Sequence, residues 1–211
     1  MQSRNFKLQK VGDINWLKDF YKFQDISFSL DELIVLDATK GLKDLQLFAD
    51  HIKELSKNVF LPITAGGGIS SLDNAKLLFN NGADKIVINS LIFENNEVVK
   101  EIIKSYGSQS VVASIDYKYV NGNAKVFINN GSRELDINTH EMIKIISSTG
   151  VGEIIVNSID RDGTGFGYDV DFLSHLNELD IPIIISGGAG NSKHFMDALD
   201  KDNTSAVATA N

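Results

Sequence analysis

With 211 residues, 43% hydrophobic and 23% charged, the chain can bury one substantial core, and a single domain over residues 1–211 is the expectation. A net charge of -8 and a pI near 4.9 argue against a broad basic surface for nucleic acid or an anionic membrane, so any phosphate must be held locally by backbone N–H groups. The absence of cysteine excludes disulfides, zinc–thiolate sites and thiol nucleophiles; the four histidines (His51, His140, His175, His194) lack metal-ligand spacing, and neither metal nor cofactor is expected.

In chain order, residues 1–10 are polar and show no period. Ile14, Trp16, Leu17, Phe20, Tyr21 and Phe23 recur at helical spacing behind Asp13, a candidate N-cap. Residues 33–36 form a short apolar run ending at Asp37, which reads as a strand buried on both faces. Residues 42–55 are helical by period, 60–64 form a strand, and a helix capped by Ser70-Ser71 carries Ala75, Leu77, Leu78 and Phe79 and stops at Gly82. Strand 85–88 ends at Asn89-Ser90, helix 95–106 stops at Gly107, and strand 111–115 ends at Asp116. Residues 117–130 then alternate around Asn121-Gly122, the strongest short hairpin signal. Helix 139–148, strand 153–156, helix 170–179, strand 181–185, helix 192–199 and strand 205–208 complete the chain. No membrane-length apolar run or signal peptide is read, and a cytoplasmic protein is the expectation.

Strand, helix, strand, helix with short buried strands implies parallel pairing through right-handed crossovers. The pattern also repeats internally. Pro62-Ile-Thr-Ala-Gly-Gly-Gly-Ile69 and Pro182-Ile-Ile-Ile-Ser-Gly-Gly-Ala-Gly190 are both apolar runs that break into consecutive glycines and lead into a helix. Gly67 recurs as Gly187 and Gly68 as Gly188; Glu32-Leu-Ile-Val recurs as Glu153-Ile-Ile-Val, and Lys85-Ile-Val-Ile-Asn89 as Ser205-Ala-Val-Ala-Thr209. Two similar (βα)4 halves make an α/β fold of the (β/α)8 TIM-barrel type. By the repeat, the first strand and the last helix are the elements without a counterpart. The expectation is therefore an N-terminally and C-terminally short barrel.

Such barrels keep their site at the C-terminal ends of the strands. Those ends read Asp37, Thr64 with the first glycines, Asn89-Ser90, Asp116, residues 158–162, Ser186 with the second glycines, and Thr209. Two glycine turns on opposite halves suit a substrate phosphorylated at both ends, because glycine lets backbone N–H groups approach an anion closely. Asp116 ends an apolar strand. It reads either as a general acid or base or as the cap of the following turn. At the opposite rim Glu32, Lys85 and Glu153 start alternate strands. They read either as three charges meeting at the base of the bore or as solvated strand starts.

These runs resemble the cyclase subunit of the imidazole glycerol phosphate synthase family, the HisF-type barrel. The matching stretches are Ala65-Gly-Gly-Gly-Ile69, Gly82-Ala-Asp-Lys-Ile-Val-Ile-Asn-Ser90, residues 107–116, Gly152 to Thr164 with its Ser-Ile-Asp-Arg-Asp-Gly-Thr run, Gly167-Tyr-Asp169 and Ser186-Gly-Gly-Ala-Gly190. The resemblance implies one substrate phosphate on Gly67, Gly68, Asn89 and Ser90. It implies the other on Asp162, Gly163, Gly187 and Gly188, with Thr209 nearby. Asp116 would be a catalytic acid/base, with Asn157, Ser158, Asp160 and Asp37 close by. Glu32, Lys85 and Glu153 would form the gate through which ammonia from a glutaminase partner, bound as a heterodimer, enters the bore. Ammonia would then convert a phosphoribulosyl-formimino carboxamide ribotide to imidazole glycerol phosphate and aminoimidazole carboxamide ribotide, in histidine biosynthesis.

The sequence departs from the family in three places. The family's other catalytic aspartate lies on the first strand, Asn157 stands where the cyclases usually carry threonine, and Asn129-Asn130-Gly131-Ser132 replaces the usual loop. These departures resemble the HisF-like relatives that serve sugar amidotransferases in surface-glycan synthesis. That branch is the second expectation, and an inactive, truncated phosphate-binding barrel is the third. Residues 1–211 alone are expected to be inactive, because proton transfer at two places calls for two groups.

Overall fold

The computed structural model describes residues 2–9, 16, 20 and 29–210. The helix expected over residues 13–23 lies outside these, save for Trp16 and Phe20, which are helical with rings stacked 4.7 Å apart.

The central sheet contains seven parallel strands: β3 (Leu33–Leu36), β4 (Ile63–Gly66), β5 (Lys85–Ile88), β6 (Val111–Val120), β9 (Glu153–Ser158), β10 (Ile183–Ser186) and β11 (Thr204–Ala208). They lie side by side in that order and pair in parallel throughout. All the strand C-termini therefore reach one rim. Among the described residues no further strand pairs with the outer side of β3 or β11.

Helices occupy the expected crossovers. α1 (Leu45–Ser56) starts at Asp44, whose side chain accepts from the Leu47 N–H at 2.9 Å, and it buries Phe48, Ala49, Ile52 and Leu55 at helical spacing. α2 (Leu72–Asn80) follows Ser71. α3 (Ser90–Glu94) is a five-residue helix that the sequence reading did not anticipate, just ahead of α4 (Asn96–Tyr106), the helix expected over 95–106. α5 (Thr139–Thr149) opens on an Asn138/Glu141 capping box and ends at Gly150, in the left-handed region. α6 (Ser192–Leu199) precedes β11. The helix expected over 170–179 is instead a 3-10 helix, Val170–Leu176. Its entry is pinned where the Tyr117 hydroxyl donates to Asp169 at 2.8 Å, and its exit closes on a three-residue return from the Leu179 N–H to the Leu176 carbonyl. Among the described residues no helix is long and apolar enough to cross a membrane.

The two faces of the sheet differ. Outward residues such as Ile86, Ile88, Ile154, Val156 and Ile185 join the helices in one large core. Inward residues Val87, Val112 and Ile155 form a small second cluster flanked by Ile34 and Ile184. At about 1.5–3 kcal/mol per fully buried aliphatic side chain, the layer between helices and sheet supplies most of the stabilisation and the bore little. The bore is thus free to carry polar groups.

Two hairpins decorate the rim where the strands end. β6 runs beyond the sheet and folds back on β7 (Asn123–Ile128) through Asn121 and Gly122, both at positive φ, as the dipeptide predicts. β8 (Arg133–Glu134) extends that ladder. Residues 1–10, read as aperiodic, contain a second hairpin. β1 (Gln2–Arg4) pairs antiparallel with β2 (Lys7–Gln9), and its turn at Asn5 and Phe6 also lies at positive φ. Long-range bonds hold that turn: the Asn5 N–H donates to the Asp162 carbonyl at 3.0 Å and the Phe6 N–H to the Asp162 carboxylate at 3.1 Å.

Helix capping offers a direct check. Ser71 accepts from the Asn74 N–H at 3.2 Å, satisfying one of the free donors of α2. Ser71→Ala is expected to cost about 1 kcal/mol and to lower Tm by about 2–4 °C, read from thermal melts.

Candidate functional site

The two glycine turns have one design. β4 and β10 run in the same direction in one sheet, so both turns leave from the same rim. Gly67 and Gly68 have φ of 106° and 83°, and Gly187 and Gly188 have 87° and 108°. A side chain is excluded as well as disfavoured. A Cβ on Gly67 would lie 2.3 Å from the Asp37 carbonyl oxygen, and one on Gly188 would lie 2.2 Å from that of Gly167. The repeat seen in sequence is therefore a repeat of backbone conformation, which only glycine adopts without strain.

Asp116 lies one residue before the end of the sheet portion of β6 with 7% of its surface exposed. Burial pushes its carboxyl from an ordinary 3.8 up to about 7. The Asn157 and Ser114 hydrogen bonds pull it down, and the nearby Asp162 carboxylate pushes it up further. The Asn157 amide and the Ser114 hydroxyl each reach Asp116 Oδ1 at 3.4 Å. The same Asn157 side chain lies against Gly187, where an added Cβ would stand 3.0 Å from its Oδ1. On the other side, the Asn89 amide donates to the Ser114 carbonyl at 2.9 Å, and Ser90 follows at the start of α3. Asp116 is thus bonded to Asn157, which packs against Gly187, and to Ser114, whose carbonyl accepts from Asn89 of the other phosphate-site candidate.

The remaining candidates sort by face. Asn157 points into the bore. Ser158, the next residue on β9, belongs to the opposite face beside Tyr117 and is 1% exposed. Asp160 accepts from the Tyr119 N–H at 2.9 Å and braces the β6–β7 hairpin. Asp162 anchors the β1–β2 turn, with Gly163 exposed next to it at φ 67°. Thr209 is exposed just beyond β11, whose end is held by the Tyr168 hydroxyl on the Ala208 carbonyl at 3.0 Å. Asp37 accepts from the Thr39 N–H at 2.9 Å and lies 3.9 Å from the Lys43 ammonium.

At the base of the bore the three strand-start charges do meet. Lys85 Nζ lies 2.8 Å from Glu32 Oε2 and bonds both Glu153 oxygens at 2.8 and 2.9 Å. The buried Thr64 hydroxyl also bonds Glu32. Burial alone would lower the Lys85 pKa, but bonds to Glu153 and Glu32 outweigh it and the net shift is upward. The ammonium therefore stays charged across the physiological range.

Two sets of contacts escaped the sequence reading, which noted the Asn129-Asn130-Gly131-Ser132 run only as a departure from the family. Lys43 lies across Gly68, and Asn129 and Asn130 link the segments that follow β5 and β3. Ser90 Oγ bonds Asn129 Oδ1 at 2.9 Å, and the Asn130 amide reaches the Ala38 carbonyl at 3.3 Å. Both Asn residues sit at positive φ, so an Asn-Asn-Gly run, tolerant of that region, was the available signal. Among the described residues no group of three or more His, Cys, Asp or Glu could hold a metal.

A parallel sheet curled as in a (β/α)8 barrel, with like glycine turns in its two halves and a protonatable carboxylate between them, defines an α/β-barrel enzyme. The chain belongs to the histidine biosynthesis protein family, whose model matches residues 13–211. A protein of Parasynechococcus marenigrum, provisionally named imidazole glycerol phosphate synthase subunit hisF2, is 46% identical over 99% of this chain and 78% of its own. The imidazole glycerol phosphate synthase subunit HisF of an Exiguobacterium species is 36% identical over 98% of this chain and 81% of its own. That of Flavobacterium psychrophilum is 38% identical over 85% and 72%. These matches put the chain among the HisF-type subunits.

Proposed function

We propose that this chain acts as the cyclase subunit that uses ammonia to turn a bis-phosphorylated ribotide into imidazole glycerol phosphate and the aminoimidazole carboxamide ribotide. The observation that carries this reading is Asp116: a carboxyl held near neutrality at the strand ends, hydrogen-bonded to Asn157, which packs against Gly187, and to Ser114, whose carbonyl accepts from Asn89. The glycine turns would hold the two phosphates and fix the carbon chain between them over Asp116. With its pKa near the working pH, that carboxyl can take a proton from the attacking nitrogen and return one to the leaving amine. The test is ammonium-dependent product formation by the protein as encoded. No turnover of the ribotide at saturating ammonium by folded protein would overturn the proposal.

In this reading the Lys85 cluster is the entry for ammonia delivered by a glutaminase. Lys85→Met removes the cation and leaves Glu32 and Glu153 facing each other. Breaking a fully buried pair costs about 3–5 kcal/mol; these side chains keep 21–24% exposure, which reduces the figure to about 1–3 kcal/mol. The expected result is a lowered Tm, with glutamine-driven turnover in the presence of the glutaminase falling further than ammonium-driven turnover. Equal losses by both routes would remove the gate from the proposal.

A further inference from the structure

We infer that Lys43 is a substrate-binding residue that supplies the cation for a phosphate at the Gly67–Gly68 turn, an inference that rests on the two-phosphate reading above. The turn as read from sequence offers an anion only backbone N–H groups and the Asn89–Ser90 segment. The structure adds an ammonium. The Lys43 stem passes over Gly68, in space a Cβ would fill: that Cβ would stand 2.6 Å from Lys43 Cδ, 3.6 Å from Cβ and 3.7 Å from Cε. Its Nζ donates to the Asp37 carbonyl, the same oxygen that closes against Gly67, and lies 3.9 Å from Asp37 Oδ2. The glycine at 68 thus serves a second purpose beyond its φ, because any side chain there would displace the lysine.

Chemistry favours a ligand over a purely structural tie. An ammonium has three N–H donors, and the Asp37 carbonyl uses one. The side chain is only 19% exposed, and burial lowers its pKa despite the neighbouring Asp37. Asp37 therefore compensates the cation only in part, and a dianionic phosphate on Gly67–Gly68 would complete the compensation. In a chain of net charge -8, a local cation also offsets the repulsion a phosphate meets on approach.

The probe is inorganic phosphate, titrated into the whole protein while the amide signals of Gly68 and Gly188 are followed by NMR. Wild type is expected to respond at both glycines. In Lys43→Met the Gly68 affinity is expected to fall about tenfold or more, the value of a charge-assisted hydrogen bond, while Gly188 is unchanged and Lys43→Arg is close to wild type. In wild type itself, the Lys43 side-chain signal should titrate at higher pH with phosphate present, a readout that does not depend on any variant folding. A response at both glycines with Gly68 affinity unchanged in Lys43→Met, or a Lys43 titration unmoved by phosphate, overturns the inference and leaves the two-phosphate reading standing. No response at either glycine in wild type ends both.

Discussion

Asp116→Asn is expected to lower turnover roughly 10²–10⁴-fold, the usual contribution of one positioned acid or base, and at the same time to stabilise the protein above pH 7. The second effect follows from linkage. The carboxyl has an ordinary value of 3.8 when unfolded and about 7 when folded, so between these values the folded state holds more protons than the unfolded one. Native stability therefore falls as pH rises from about 4 to about 7 and stays low above that, by roughly 1.4 kcal/mol for each pH unit of difference. Asparagine has the same shape and cannot ionise, so it is spared the cost of a buried charge. Melts of both proteins at pH 5 and pH 8 should show a variant more stable at pH 8, with the gap shrinking at pH 5. The wild-type rate should carry a limb near pH 7. A structural cap would behave differently, because losing its carboxylate would destabilise at pH 8 and leave turnover largely intact. Coincidence of lost activity with gained stability is thus specific to a buried, ionisable catalytic group.

Much of this arrangement is legible in the sequence because it rests on short-range rules. Val111 to Ile115 cannot be placed at a surface, so the residue that follows, Asp116, must end a buried strand. Consecutive glycines after an apolar run demand positive φ, and Gly67, Gly68, Gly187 and Gly188 all adopt it. Period-two spacing from Val87 to Lys85 and from Ile155 to Glu153 puts the charges on the bore side, where they meet. What escaped depends on contacts distant in the chain. The β1–β2 turn is bonded to Asp162, 156 positions away from Phe6, and no local pattern encodes that. Asn130 reaches Ala38 across 92 positions. Lys43 carries no periodic signal, and its meaning appears only when its stem is seen crossing Gly68. Ser158 shows the opposite limit: next to a bore-facing residue in sequence, it belongs to the other face of the sheet, since side chains alternate along a strand.

Gly188→Ala is expected to be among the most damaging single-methyl changes in the chain. Two costs add. A residue with a Cβ at φ 108° carries about 1–2 kcal/mol of backbone strain. The new methyl would also stand 2.2 Å from the Gly167 carbonyl oxygen, 2.9 Å from its carbon and 3.0 Å from Arg161 Cβ. The clash is with main chain, and that main chain cannot retreat freely, because the Gly167 N–H is bonded to the Gly188 carbonyl at 2.7 Å. The control is Gly122→Ala in the β6–β7 turn. Gly122 also has positive φ, 79°, but nothing lies within 4 Å of an added Cβ, so only the strain term applies. Denaturant unfolding should therefore give about 1 kcal/mol for Gly122→Ala and about 3 kcal/mol or more for Gly188→Ala. The second turn would be displaced with the methyl, so Gly188→Ala should also lose phosphate affinity there, while Gly122→Ala keeps it. If the two variants unfold within about 0.5 kcal/mol of each other, the close approach of Gly167 to Gly188 is not the constraint that holds this turn, and the case for a backbone cradle built to one shape in both halves fails with it.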